Sequence, residues 1–332
     1  MVFSSTSVAA ANLLAVRSSA TPLRPESDVG DPRRRRLVRS LALAAALLLT
    51  QVGCATLGRG RMSAEKLAAA RELSRQGVAA IEMGQWQQAE SLLQQAVDAS
   101  PDDAEARRYL AEALWQRGAA DEALSHLTEA IRIDPTSAAF HVRAGEMSLA
   151  LGANGDAIRR ADKAIGLDTK LASAYALRGR AFWRENQLDP ALADLQRTLE
   201  LSPHNAEVLL DVALMYRERG QATRSLTTLH HLLDTYPPGE EPQLALLLEG
   251  RTLLELGRPQ QATDSFLAAS DRGPPNVEVY YRLAQAQSEI GRHAEAATTV
   301  RQALAIDASH QASRQLLAQL AARTTPTNTA RR

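Results

Sequence analysis

One cysteine, Cys54, in 332 residues leaves no partner for an internal disulfide and no thiol set for a zinc site. The fold must therefore stand on packing alone. Aromatic residues are scarce, at 4%, too few for the stacked platforms that grip single-stranded nucleic acid. A basic excess is missing as well, since 38 Lys+Arg balance 38 Asp+Glu. The balance is uneven along the chain. Residues 1–62 hold nine arginines against Glu26, Asp28 and Asp31, so the remainder is net acidic by six charges. An acidic body is a poor match for phosphate backbones, and no nucleic acid partner is expected. There is no glycine-rich phosphate loop, no His-Glu-x-x-His, and no cysteine to spare for a nucleophile. The seven histidines are scattered; His230 and His231 are adjacent, and neighbours on a helix point about 100° apart, poorly placed to share a metal. No catalytic residue, cofactor, metal or small-molecule substrate is expected.

Long apolar runs are absent except Leu41–Leu49, which follows the charged stretch Arg33–Arg36 and Arg39 and precedes Cys54. This arrangement resembles a bacterial lipoprotein signal (residues 33–54), in which the cysteine becomes the lipidated first residue of the mature chain. Gln51 stands where that pattern prefers leucine. The alternative is an uncleaved inner-membrane signal anchor over residues 37–58, short for a comfortable span. Either reading places the rest of the chain on the same side of a membrane. Ala55 replaces the aspartate typical of inner-membrane retention, so the resemblance implies an outer-membrane lipoprotein of the cell envelope, facing the periplasm. Residues 1–32, rich in Ser, Ala, Thr and Pro, read as an extension without fixed structure or as the product of too early a start codon. Residues 55–62 read as a short tether.

What the chain has in plenty is a repeat. A small residue recurs at Gly77, Ala111, Gly145, Gly179, Ala213, Gly250 and Ala284, and a turn residue at Gly84, Gly118, Gly152, Asn186, Gly220, Gly257 and Gly291. Alanine columns follow, beginning at Ala89 and at Ala96, with Ser225, Thr198 and Leu232 as departures. Pro101, Pro135, Pro203, Pro237 and Pro274 close five units, Thr169 and Ala308 the other two. The step is 34 residues, lengthened once to 37 by Glu240-Glu241-Pro242. Within a unit, apolar residues fall at helical spacing on two short segments, as in Leu110, Ala111 and Leu114, then Ala123, Leu127, Ala130 and Ile131. Segments of about a dozen residues are marginal as isolated helices and need neighbours.

Period and columns together resemble the tetratricopeptide repeat, a 34-residue helix–turn–helix. The resemblance implies an all-α, right-handed α-solenoid of seven repeats, at residues 70–103, 104–137, 138–171, 172–205, 206–239, 243–276 and 277–310. Residues 311–323, with Leu316, Leu317 and Leu320 on one stripe, read as the helix that covers the last repeat, and residues 324–332 as a polar tail. Asp103, Ser137, Asn205 and Asn276 stand where the following helix wants an N-cap.

In this family the first helix of each unit lines a concave groove. Resemblance places there Arg108, Glu112 and Trp115 in the second unit and Glu146 in the third. Arg180, Trp183 and Arg184 follow in the fourth, Arg217 in the fifth, Arg251 in the sixth and Tyr281 in the seventh, with Val142, Leu149, Leu247 and Leu254 among them. The Lys/Asn arrangement that grips chaperone C-termini is not present at Arg108, Glu112, Val142 and Glu146. Aromatic, aliphatic and arginine side chains are the mixture that dominates interface hot spots. The expected role is a membrane-tethered, non-catalytic scaffold that holds a protein or peptide partner. An accessory subunit or a pilotin-like assembly factor of a secretion, pilus or cell-wall complex is the alternative.

Overall fold

Seven turn residues set the rhythm of the chain. Gly84, Gly118, Gly152, Asn186, Gly220, Gly257 and Gly291 all have φ between 59° and 84°. In a computed structural model, which describes residues 64–324, each of them ends one helix and leads into the next. Around Gly118, its own N–H donates to the Trp115 carbonyl at 2.9 Å and the Ala119 N–H to the Leu114 carbonyl at 3.0 Å. That Schellman closure satisfies carbonyls which the helix end leaves open. The fourth unit closes the same way through Asn186 and Gln187, which donate to Trp183 and Phe182 at 2.9 Å each. Asparagine is among the few residues with a side chain that visit the left-handed region readily, so the turn survives without glycine.

The described residues form fifteen helices and no strand. Helix α1 covers residues 64–82, followed by α2 (Trp86–Ala99), α3 (Ala104–Gln116), α4 (Ala120–Ile133), α5 (Ala138–Ala150) and α6 (Asn154–Leu167). Then come α7 (Ala172–Arg184), α8 (Leu188–Leu201), α9 (Ala206–Glu218), α10 (Ala222–Leu233) and α11 (Gln243–Glu255). The last four are α12 (Pro259–Asp271), α13 (Val277–Glu289), α14 (His293–Ile306) and α15 (Gln311–Thr324). Odd and even helices pair within a unit, and each even helix packs on the first helix of the next unit. First helices of neighbouring units also touch, α5 with α7, α11 with α13, and α13 with α15. The result is an α-solenoid. None of the described helices is long and apolar enough to cross a membrane, and the signal-like segment with Cys54 lies outside the described residues.

The small-residue column works by close approach. A Cβ on Gly250 would sit 2.4 Å from the Phe266 ring, and one on Gly77 would sit 2.5 Å from Leu93 Cγ. Leu93, Leu127, Leu195, Leu229 and Phe266 are the bulky knobs that this column receives, and all are fully buried. Each such side chain removed from water contributes about 1.5–3 kcal/mol. In the third unit the knob is Ala161, and the space over Gly145 is taken instead by Leu177 of the next unit, 2.5 Å from where a Cβ would stand. Polar departures from the alanine columns are satisfied within the backbone. The Thr198 hydroxyl donates to the Asp194 carbonyl at 3.0 Å, and the Ser225 hydroxyl to that of Ala213 at 2.8 Å.

Junctions between units use two devices. Asp103, Asn205 and Asn276 cap the next helix, accepting from Ala106, Val208 and Glu278 N–H groups at 2.9, 3.1 and 2.9 Å. Ser137 departs from expectation, since its side chain makes no cap bond. There the carboxylate of Asp134 accepts from the Thr136 N–H at 3.0 Å and folds the turn from the other side. Asp168 and Asp307 do the same for Lys170 and Ser309, and these are the two junctions without a column proline. At the two junctions without a column proline such an Asx turn fixes the connection, and at Asp134 it acts together with Pro135. At the far end α15 lays Leu320 against Ala284, Ala296 and Val300, with Leu316 and Leu317 beside it, covering the last unit's apolar face.

Candidate partner-binding face

Helices α5, α7 and α9 together wall a groove of about 400 Å³. Its apolar lining comes from Leu149, Ala176, Leu177 and Val208, its polar rim from Arg143, Glu146, Ser173, Arg180, Arg184 and Glu207. The rim is largely a lattice of bonds between units. Arg143 donates to Glu112 on α3 at 2.8 Å and to Glu146 on its own helix at 3.0 Å. Arg180 donates to Asp211 on α9 at 2.6 Å and to Glu207 at 3.1 Å. Burial works against the charge on Arg180, yet these two carboxylates outweigh it and hold its proton more tightly than usual. Burial lifts the Asp211 carboxyl above the ordinary range while Arg180 pulls it back.

The remaining side chains singled out in the sequence fall on the same first helices with different fates. Arg108 pairs with Glu105 at 2.9 Å and lies over the Tyr109 ring at 3.9 Å. Trp115 packs against the core of the first two units. Trp183 packs against the core of the fourth and fifth units and donates its indole N–H to Glu218 at 2.8 Å, which fixes the ring across two units. Arg184 reaches back to the Leu149 carbonyl. Arg217 pairs with Glu255 on α11 at 3.1 Å. Tyr281 meets His310 edge to face, with centroids 5.4 Å apart, at the start of the capping helix. Val142, Leu149 and Leu247 are no more than 8% exposed, so they serve the core rather than an open surface. Arg251 is the charged member with no hydrogen bond or ion pair among the described residues; it lines a second cleft, of about 270 Å³, between α11 and α13.

The acidic partners Glu207, Asp211, Glu218 and Glu255, and Arg143 itself, were not singled out by sequence reasoning. A signal for them exists. Glu112 and Arg143, like Arg180 and Asp211, are 31 residues apart, one repeat less about one helical turn. That spacing brings a residue on one first helix opposite the next.

Two stretches, residues 74–138 and 176–239, match a tetratricopeptide repeat family, and residues 253–320 match another tetratricopeptide repeat family, together covering more than half of the chain. The chain belongs to the tetratricopeptide repeat family, whose members are protein-interaction scaffolds. It is similar to mouse DnaJ homolog subfamily C member 3, with 25% identity over 224 residues that cover 63% of this chain and 44% of the mouse protein. The Arabidopsis thaliana TPR repeat-containing thioredoxin TDX is 34% identical over 98 residues, covering 30% of this chain and 26% of that one. The chain thus spans less than half the length of the curated relatives it matches.

Among solved structures, PilW, a widely conserved type IV pilus biogenesis factor, aligns with a TM-score of 0.58 at 19% identity over 63% of this chain and 96% of its own. Pseudomonas aeruginosa pilF aligns with a TM-score of 0.58 at 17% identity over 68% and 99%. YrrB, a TPR protein with an unusual peptide-binding site, gives 0.51 at 17% over 57% and 96%. These likenesses establish the fold.

Proposed function

We propose that this chain is a non-catalytic scaffold that lays a protein or peptide partner along the face of its first helices. The groove across α5, α7 and α9 carries the reading: charged and polar side chains rim a depression whose apolar floor is packed into the core, and the rim is held in place by Arg143 and Arg180 rather than left mobile. A pre-ordered rim lowers the entropy cost of capturing a flexible segment. Residues such as Ser173 and Glu207 remain exposed on that face for contact. The scaffold is tethered to the envelope membrane through lipidated Cys54, on the strength of the signal-like stretch before it. Likeness in fold to PilW and pilF favours a second, narrower reading, an assembly factor of a pilus or secretion complex.

A photoreactive residue placed at Ser173, in the groove, is expected to crosslink to a defined partner in envelope membranes, while one at Lys163 on α6 is not. Crosslinks from Lys163 alone would move the binding surface to the second helices. Intact-mass spectrometry tests the tether: the mature chain begins at Cys54 and carries acyl mass, and Cys54→Ser leaves the membrane fraction. A mature chain starting elsewhere, or an unchanged fractionation, removes the lipoprotein reading.

A further inference from the structure

Contacts between neighbouring units repeatedly join residues 31 apart. Between first helices, Glu112 meets Arg143 and Arg180 meets Asp211, each an arginine against a carboxylate. Arg251 and Arg282 are also 31 apart, and here both partners are cations. Arg282 spends its guanidinium on its own helix, donating to Glu278 at 2.8 Å and to Gln285 at 3.1 Å. On the other side Arg217 is taken by Glu255 at 3.1 Å. Arg251 is left between two arginines without an ion pair or hydrogen bond among the described residues. Burial and then the charges of Arg217 and Arg282 make its proton easier to lose than an ordinary arginine's, the opposite of Arg180. Glu278 and Glu255 exert a smaller pull the other way, and they are themselves engaged by Arg282 and Arg217.

The cleft around Arg251 is lined by Leu254, Glu255, Arg282, Gln285 and Glu289. Of its carboxylates, Glu255 already serves Arg217, and Glu289 faces the Gln285 amide at 3.5 Å. The one unshared donor set is the guanidinium of Arg251, a planar fork that fits a carboxylate. The first-helix face continues on both sides of the cleft, to α9 through the Arg217–Glu255 bond and through α13 to α15. A chain lying along it passes Arg251 by its side chains and does not end there. The arginine-rich residues 33–39 of this chain are repelled by the same charges and do not fit.

We propose that Arg251 anchors an internal glutamate or aspartate side chain of the bound segment, supplying from the partner the carboxylate that this register lacks, with Leu254 beside it for an apolar neighbour. This rests on the peptide-scaffold reading, and the experiment separates the two. Random twelve-residue peptides are displayed and selected on the full-length protein, and the selected peptides are measured by fluorescence anisotropy. One acidic position is expected to recur. Its change to glutamine weakens binding to the wild type by about tenfold or more, and has little further effect on Arg251→Gln. Arg251→Lys, which keeps the charge and loses the fork, falls between them, and amidation of the peptide's C-terminus changes nothing. Selected peptides without an acidic position, an equal loss on wild type and Arg251→Gln, or a loss confined to C-terminal amidation would each overturn the assignment. Failure to select any peptide would instead remove the scaffold reading on which it rests, and the assignment with it.

Discussion

Arg180 and Asp211 lie 31 residues apart in the chain and meet at 2.6 Å across the fourth and fifth units. The pair joins α7 to α9 directly, with Glu207 as a second acceptor, so its first role is to hold two repeats in register. A hot-spot arginine in the sequence is thereby a structural one. Arg180→Glu places a third carboxylate beside Asp211 and Glu207 and is expected to destabilise the chain by about 1–3 kcal/mol. The reversed pair, Arg180→Glu with Asp211→Arg, should recover part of that loss. Urea unfolding of the four variants measures the coupling, and curves for Arg180→Glu that overlay the wild type would show that the bond is not formed.

Two helical glycines give opposite expectations. Gly250 faces Phe266 so closely that an added Cβ has no room, and Gly250→Ala should cost about 1–3 kcal/mol. Gly166 on α6 has nothing within 4 Å of a built Cβ, and Gly166→Ala should stabilise by up to about 1 kcal/mol through helix propensity alone. Thermal melts of both variants decide the matter. A neutral Gly250→Ala would mean that the two helices of the sixth unit do not approach as described.

The periodic part of this architecture is legible because small, turn and capping residues act within a few positions of themselves. A left-handed turn residue, glycine in all units but the fourth, and a small residue at most contacts carry the same consequence from unit to unit. Ser137 is the exception, where a competing Asx turn from Asp134 takes over the junction. The groove is less legible. Helix α5 is packed on several sides and buries Val142 and Leu149 along with Phe140 and Met147, so a first-helix position is not in itself a surface position. The arginines are misread for a related reason. The carboxylates of Arg180 and Arg217 stand about a repeat away, at separations of 31 and 38 residues, and are not seen by reading one unit at a time. Arg251, whose partner 31 residues on is another arginine, makes no ion pair or hydrogen bond among the described residues.

Acid should loosen the third unit. His141 on α5 is buried, its Nε2 without a partner. Burial lowers its pKa, helped by Arg160 and Lys163 and opposed by a bond to the Pro135 carbonyl. His126 on α4 is lowered likewise by burial and by Arg107, against Glu122. Both rings are therefore held neutral in the fold, while the unfolded chain protonates them near pH 6.5. The unfolded state then binds more protons, so stability is full above about pH 6.5 and declines as pH falls through the lowered values. Melting temperatures between pH 7.5 and 5.5 should fall, and less so in His141→Gln. Imidazole C2–H resonances titrating at or above the usual range would contradict this.

The central claim is that the first helices form the partner face. Hydrogen–deuterium exchange of the full-length chain, with and without a peptide selected on it, tests that claim most directly. Slowed exchange is expected in α5, α7, α9, α11 and α13, with α6, α8, α10, α12 and α14 little changed. Protection confined to those second helices, or to α15 alone, would contradict it.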